Sequence, residues 1–324
     1  MKRLISLLLC ALLIVPALAE DAPDFEPIPW DIKVSPNLPN PDCYLPNNGG
    51  YHDDSIDIQI NVTYWTQDLQ QVDAPGEGTT TVMSARVKLT DVSQFRTGFA
   101  NKYPSKQARH VNDMTKRFNA VMGIDGDYCL YHEQGIVVRN GQTLRMRPHK
   151  GRDELIVDEN GDFHLITCTT QAKWDEYIAG GGTVLHAFCF GPALVVDGVP
   201  LTSLDDVTID NGKAKKAQRM VIGQIGKLEY LILTNEGPES TAPKSVGFDL
   251  VQMANLCVQF GLDNAYNLDG GSSSTIALNN QKINSPSSHK NRMVGDCIWF
   301  ATLVKEETWR EKESVQTVEV EDNK

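Results

Sequence analysis

Positive charge is what this sequence has too little of. Its 30 lysines and arginines stand against 42 aspartates and glutamates, a net charge of −12. A protein that binds a phosphate backbone by counterion release needs the opposite sign, so no nucleic-acid partner is expected. A small anionic substrate stays open, because a few arginines can build a local positive pocket on an acidic protein. Metal-ligand spacing is also missing. No two of the seven cysteines sit close together in the manner of a zinc site, and the seven histidines show no such spacing. No metal site and no cofactor are therefore expected, with a supporting calcium or magnesium ion left open. A Walker loop is excluded because no lysine follows the glycines of the richest glycine-serine stretch. A serine-hydrolase elbow is excluded because no glycine stands two residues either side of a serine there. Strands and helices do not alternate regularly, which removes a Rossmann fold, and no internal repeat is found.

An apolar run long enough to span a bilayer is lacking at the N-terminus. Leu4 to Val15 falls short of the ~20 residues a crossing requires. Lys2 and Arg3 precede this run, and Ala17-Leu18-Ala19 follows it before Glu20. That pattern predicts a signal peptide over 1–19, export to a secreted or extracytoplasmic location, and no membrane insertion after cleavage. Six cysteines remain beyond it: Cys43, Cys129, Cys168, Cys189, Cys257 and Cys297. Disulfides are expected in an exported chain, without a pairing legible in the sequence. Cys257, inside an apolar helical pattern, reads as a buried free thiol.

Apolar residues make up 41% of the 324 and charged residues 22%, which is globular composition with enough chain for a sizeable core. Residues 20–50 read as a proline-rich linker or arm, with seven of the 16 prolines between Pro23 and Pro46. A folded domain is expected over 51–305 and a charged, solvated tail over 306–324. Alternation at Ile56, Ile58, Ile60 and Val62 predicts a strand, and Asn61 on it heads an N-x-T sequon. "TTVMSARVKLTDV", "ALVVDGVPL" and "KLEYLILTNEG" read as further strands. Hairpins are predicted at Asn160-Gly161 and Asn279-Asn280. The clearest helix is "DLVQMANLCVQFG", with Asp249 and Gln252 spaced as a capping box and Gly261 as its stop. A shorter helix is expected within 105–120. The fold class is α+β: a strand-rich mixed β-sheet core with a few flanking helices.

The least ordinary stretch is "YNLDGGSSST", residues 266–275. Asp269 ends a short predicted strand. Gly270 and Gly271 follow, where the lack of a Cβ lets backbone N–H groups crowd a ligand. Ser272, Ser273, Ser274 and Thr275 add donors. One carboxylate beside many donors suits a substrate with an anionic group and a centre that becomes positive. A plain glycine turn with solvated serines fits the composition equally well.

This stretch resembles the hallmark of the phosphodiester glycosidase family. "NAVMGIDGDYC" at 119–129, "FGPALVVDG" at 190–198, "QRMVIG" at 218–223, "TNEG" with "GFDLVQMANL", and "INSPSSHKNRMVGDCIWF" resemble further family segments in order, over roughly residues 80–304. Departures occur: Asp125 stands where the family usually has asparagine, and Ser272 replaces the third hallmark glycine. The resemblance implies a secreted hydrolase that cleaves the bond from a sugar's anomeric carbon to a phosphodiester. The implied substrate is a sugar-phosphate-containing glycan of a cell surface or exopolysaccharide.

On that reading Asp269 and Asp127 are the catalytic carboxylates, one as nucleophile or stabiliser and one as general acid/base, with Glu236 a third candidate. Arg219 and Arg292 are phosphate clamps, since a guanidinium grips two phosphate oxygens at once. Asp125, Gly270, Gly271, Ser272 and Ser273 complete the substrate-binding set. Glu236, next to Gly237, also fits a hairpin turn. Two rivals remain at this level. One is a non-catalytic glycan- or cell-wall-binding protein of the same fold. The other is a metal-dependent phosphodiesterase that cuts P–O, for which the "DGD" at 125–127 is the support.

Overall fold

The computed structural model describes residues 39–205, 215–238, 240, 244–285 and 291–304. The leader, the first part of the proline-rich arm and the charged tail lie outside the described residues. Three antiparallel sheets are built around a shared core. The largest runs from the edge pair Tyr44–Leu45 and Gly50–His52 through Ile56–Trp65, Thr80–Leu89, Glu229–Asn235, Arg219–Gly226 and Asn264–Asn267. It ends on the hairpin Ala193–Val196 and Val199–Pro200. A second sheet orders Phe163–Ile166, Glu154–Val157, His186–Phe188, Gly135–Arg139 and Gln142–Arg147. A third orders Gln281–Lys282, Ile276–Leu278, Met122–Asp125, Asp296–Phe300 and Phe95–Phe99.

The strand-rich α+β expectation holds. Where a mixed sheet was expected, the strand pairings described are all antiparallel. Tight turns explain part of this. Asn279 and Asn280 both have positive φ, as do Asp197 and Gly198, the conformation that closes a two-residue hairpin. Ile56 and Ile58 face the core as their alternation predicts, while Val62 on the same strand is largely exposed.

One helix covers each sheet. α1 (Val111–Arg117) lays Val111 and Met114 on Ala277, Cys297 and Trp299 of the third sheet. It is shorter than the stretch expected to hold it. α2 (Gln171–Ala179), capped by Thr170, was not foreseen; it buries Trp174 against Ile136 and Ile156 of the second sheet. Only Trp174 of α2 is buried, so its sequence carries little apolar periodicity. α3 (Leu250–Gln259) sets Leu250, Met253, Ala254 and Cys257 on Val195, Val221 and Leu233 of the main sheet. The three sheets meet at an aromatic cluster. Phe95 and Phe300 from the third, Phe163 from the second and Tyr230 from the first pack edge-on or stacked at centroid distances of 5.1 to 6.4 Å.

The six cysteines are all free thiols. The expected disulfides are therefore not formed among the described residues: four of the cysteines are buried, Cys257 on the main sheet, Cys297 on the third, and Cys129 and Cys189 together in a small cluster of their own. No helix among the described residues is long and apolar enough to cross a membrane.

Asp249 accepts from the Gln252 amide at 2.8 Å, and the Gln252 side chain accepts from the Asp249 amide at 3.2 Å. Asp249→Ala removes this reciprocal cap and is expected to lower unfolding free energy by about 1 kcal/mol. Urea denaturation of both proteins checks it; superimposable curves would contradict the cap's contribution.

Candidate active site

The strand Asn264–Asn267 delivers Asp269 to the point where three segments cross. The Asn267 amide donates to the Pro192 carbonyl at 3.0 Å, Leu268 to Met220 at 2.8 Å, and Asp269 to Gly126 at 3.2 Å. The two glycines then pass close to the neighbouring strand. A Cβ on Gly270 would lie 3.0 Å from the Gln218 carbonyl, and Gly271 has φ 61°. Its amide donates to the same Gln218 carbonyl at 2.9 Å.

The hallmark amides are mostly occupied within the protein. Gly270 N–H donates to the Asp269 carboxylate at 2.8 Å, Ser273 and Ser274 donate back to Gly270 and Gly271, and Thr275 donates to Asp125 at 2.7 Å. These donors hold a tight turn and aim its carboxylate; they do not form the ligand cradle expected from the glycines. Ser273 is buried, and neither it nor Ser272 lines the cavity at Asp269, whereas Gly270 and Gly271 do.

That cavity has a volume of about 430 Å³. Asp269 lies on it, with four cationic side chains around: Arg152, Lys215, Arg219 and Arg292. Burial raises the Asp269 carboxyl; the nearby Ser273 hydroxyl and the Arg292 charge work against that rise. Arg219 is held by the carbonyls of Lys215 at 2.7 Å and Phe248 at 3.4 Å. Its burial lowers it to about 10, so it remains a cation at neutral pH. Arg152 donates to the Phe190 carbonyl at 3.2 Å and keeps a buried Nε without a partner. Tyr128 and Tyr131 stack at 4.6 Å on one wall, and Arg292 lies over Tyr128 at 5.6 Å.

Asp127 is nearby but more deeply set. One carboxylate oxygen accepts from the Cys189 amide at 2.7 Å and its thiol at 3.3 Å, with Arg139 at 3.6 Å. The other oxygen is buried and unpartnered. Asp127, Asp269 and Arg292 share a small cleft beside the cavity. So Asp269, Arg219 and Arg292 line one cavity, while Asp127 meets Asp269 and Arg292 only in the adjoining cleft.

Asp125 and Glu236 are not among the residues lining the cavity. Asp125 is fully buried and binds the Thr275 amide, pinning the hallmark to the strand Met122–Asp125. Burial and then the Asp269 charge raise its carboxyl well above the usual range. Glu236 accepts from the Ser285 amide at 2.8 Å and the Gln218 side chain at 3.2 Å, so it braces two loops. Its place after a strand end, where a turn residue was the competing reading, explains this. Arg152, His132 and Tyr131 went unnoticed in the sequence. They stand outside the glycine-rich segments, and nothing local to them signals a cavity.

Burial raises the Glu236 carboxyl to about 7 from 4.5, against the opposing Ser285 amide and Lys282. Between those values the folded chain holds a proton that the unfolded chain has lost, so Glu236 costs stability as pH rises through that window. Glu236→Gln cannot ionise and is expected to lose less stability than the wild type from about pH 4.5 to about pH 7. Denaturation at the two pH values checks this; equal losses would contradict it.

Comparison with known proteins places this geometry in context. The sequence profile described as phosphodiester glycosidase matches residues 118–301. No curated protein matches the sequence. Among solved structures, the catalytic domain of zebrafish N-acetylglucosamine-1-phosphodiester alpha-N-acetylglucosaminidase, auto-inhibited by its pro-peptide, superposes with a TM-score of 0.59 at 14% identity. That match covers 78% of this chain and 86% of the other. A hypothetical protein from Synechocystis gives a TM-score of 0.50 at 14% identity, over 78% of this chain and 62% of the other. At such identities the structural likeness shows the fold.

Proposed function

The chain belongs to the phosphodiester glycosidase family, and on that premise we propose that it hydrolyses the bond between a sugar's anomeric carbon and a phosphodiester. The observation that carries this reading is one carboxylate, Asp269, in a cavity with four cationic side chains. The cations suit the phosphate. Arg152 and Arg292 present guanidiniums that can each hold two phosphate oxygens, and Arg219 and Lys215 add charge. A phosphate ester leaves well once its charge is held, so the demand for a strong acid at the leaving oxygen is small. The demand falls instead on the sugar carbon, which becomes oxocarbenium-like. Asp269 supplies negative charge there, as nucleophile or stabiliser. Its partial burial strengthens that interaction by excluding water. The stacked Tyr128 and Tyr131 offer an apolar wall for a sugar face. Asp127, behind Asp269, adds a second carboxylate whose free oxygen is turned away from its occupied one.

The substrate class we propose is an anionic glycan with a sugar-1-phosphodiester, at a cell surface or in an exopolysaccharide; the cationic cavity supports its anionic character. Export through the N-terminal leader would bring the enzyme to it. The intact acids at Asp269 and Asp127 favour this reading over a binding protein that has lost its chemistry.

Asp269→Asn keeps size and turn-forming ability while removing the charge. It is expected to reduce cleavage of sugar-1-phosphodiesters by on the order of a hundredfold or more, with a thermal melt close to wild type. Rates of both proteins on a panel of such substrates test it. A folded variant at near wild-type rate would remove Asp269 from the mechanism.

A further inference from the structure

We propose that Asp127, His132 and Cys189 form a zinc-binding site in the wall beside the active-site cavity. Their donor atoms, a carboxylate oxygen, an imidazole nitrogen and a thiol sulfur, all lie within 4.8 Å of one another. Two donor atoms on these residues stand unused. The Asp127 Oδ1 is buried without a hydrogen-bond partner, on a residue only 4% exposed. The His132 Nε2 is also buried and unpartnered. A buried polar atom left in this state costs free energy, and a bound ion would satisfy both at once.

The histidine is already oriented as a ligand. Its Nδ1 lies 2.9 Å from the Gln134 carbonyl, which can only accept, so Nδ1 carries the proton. In the neutral ring Nε2 then holds the lone pair, the arrangement usual for a metal-bound histidine whose other nitrogen donates to a carbonyl. The Cys189 thiol, fully buried, donates to Asp127 and accepts from Arg145 at 3.3 Å. Metal binding would replace the thiol hydrogen with the ion and release that proton to solvent.

Two anionic ligands face two guanidiniums here. Asp127 and the Cys189 thiolate would together balance a divalent cation. Arg139, the nearest guanidinium to Asp127, is paired with Asp296 at 3.0 Å. Arg145 is engaged by the carbonyls of Cys129, His132, Gln134 and Gly135.

The donor set selects the metal. Calcium and magnesium take oxygen ligands, whereas a mixed oxygen, nitrogen and sulfur set suits zinc. Tetrahedral zinc, with bonds of about 2.0 to 2.3 Å, needs donors about 3.5 Å apart, so the three must close by roughly 1 Å. His132 can supply that movement, because it is half-buried in the loop before the strand Gly135–Arg139. Three protein ligands leave zinc one further position, for water or a substrate oxygen. His132 lines the Asp269 cavity beside Arg152, which puts this position within the site's reach. Spacing rules miss the set because its members come from positions 127, 132 and 189, joined only by the fold.

The test uses full-length protein stripped of metal, dialysed against zinc and washed, with bound zinc quantified. It needs no substrate, so its outcome is separate from the glycosidase reading. About one zinc per chain is expected for wild type, less than about a tenth of that for His132→Ala, and wild-type loading for the surface control His52→Ala. Cobalt in place of zinc should give a thiolate-to-cobalt charge-transfer band in wild type that Cys189→Ser lacks. No zinc on wild type, or full loading of His132→Ala, would overturn the proposal. If Cys189→Ser does not fold, as circular dichroism would show, His132→Ala decides.

Discussion

A single buried guanidinium joins the sheets that build the site. Arg139 ends a strand of the second sheet and reaches Asp296, on the third sheet, at 3.0 Å. The same group approaches Asp127 and donates to the Ala187 carbonyl. The Phe188 ring lies 4.3 Å beneath it. Burial works against the Arg139 charge, and the Asp296 and Asp127 carboxylates outweigh it. Removing one partner of such a group would strand the others as uncompensated charge, at a typical cost of about 3 to 5 kcal/mol. Asp127 therefore owes its position to a contact between sheets, and Cys189, bound to Asp127, follows from it.

The hallmark turn depends on a second set of constraints. Asp125 holds the Thr275 amide, Gln218 accepts from Gly271, and Gly126 accepts from Asp269. Two of these anchors, Asp125 and Gly126, are neighbours at the end of one strand, and the third comes from the segment before Arg219. Residues that looked like ligands in the sequence thus divide by role. Asp269, Gly270, Gly271, Arg219 and Arg292 line the cavity, while Asp125, Ser273 and Glu236 support the backbone that forms it. The glycines serve close approach between chain segments more than approach to a ligand.

Much of the fold was legible because its signals are local. The capping box of α3, the Asn160-Gly161 and Asn279-Asn280 turns and the alternation at Ile56 and Ile58 each need only neighbouring residues. α2 was not legible, since a helix that buries one tryptophan on its own leaves almost no periodic trace. The site was half legible. Ordered motifs brought out Asp269, Asp127, Arg219 and Arg292. Arg152 and His132 come from stretches without a motif, and only the crossing of sheets places them at the cavity. Cys189 stood only among the disulfide candidates, since its contact with Asp127 exists only in the fold.

The central claim is that bond cleavage occurs at carbon, with the phosphate held as the leaving group. Hydrolysis of a sugar-1-phosphodiester in ¹⁸O-labelled water tests this directly, with the products separated and weighed. The account predicts the label in the released sugar and none in the phosphate monoester. Label in the phosphate would show attack at phosphorus and contradict the assignment of Asp269 to the sugar carbon.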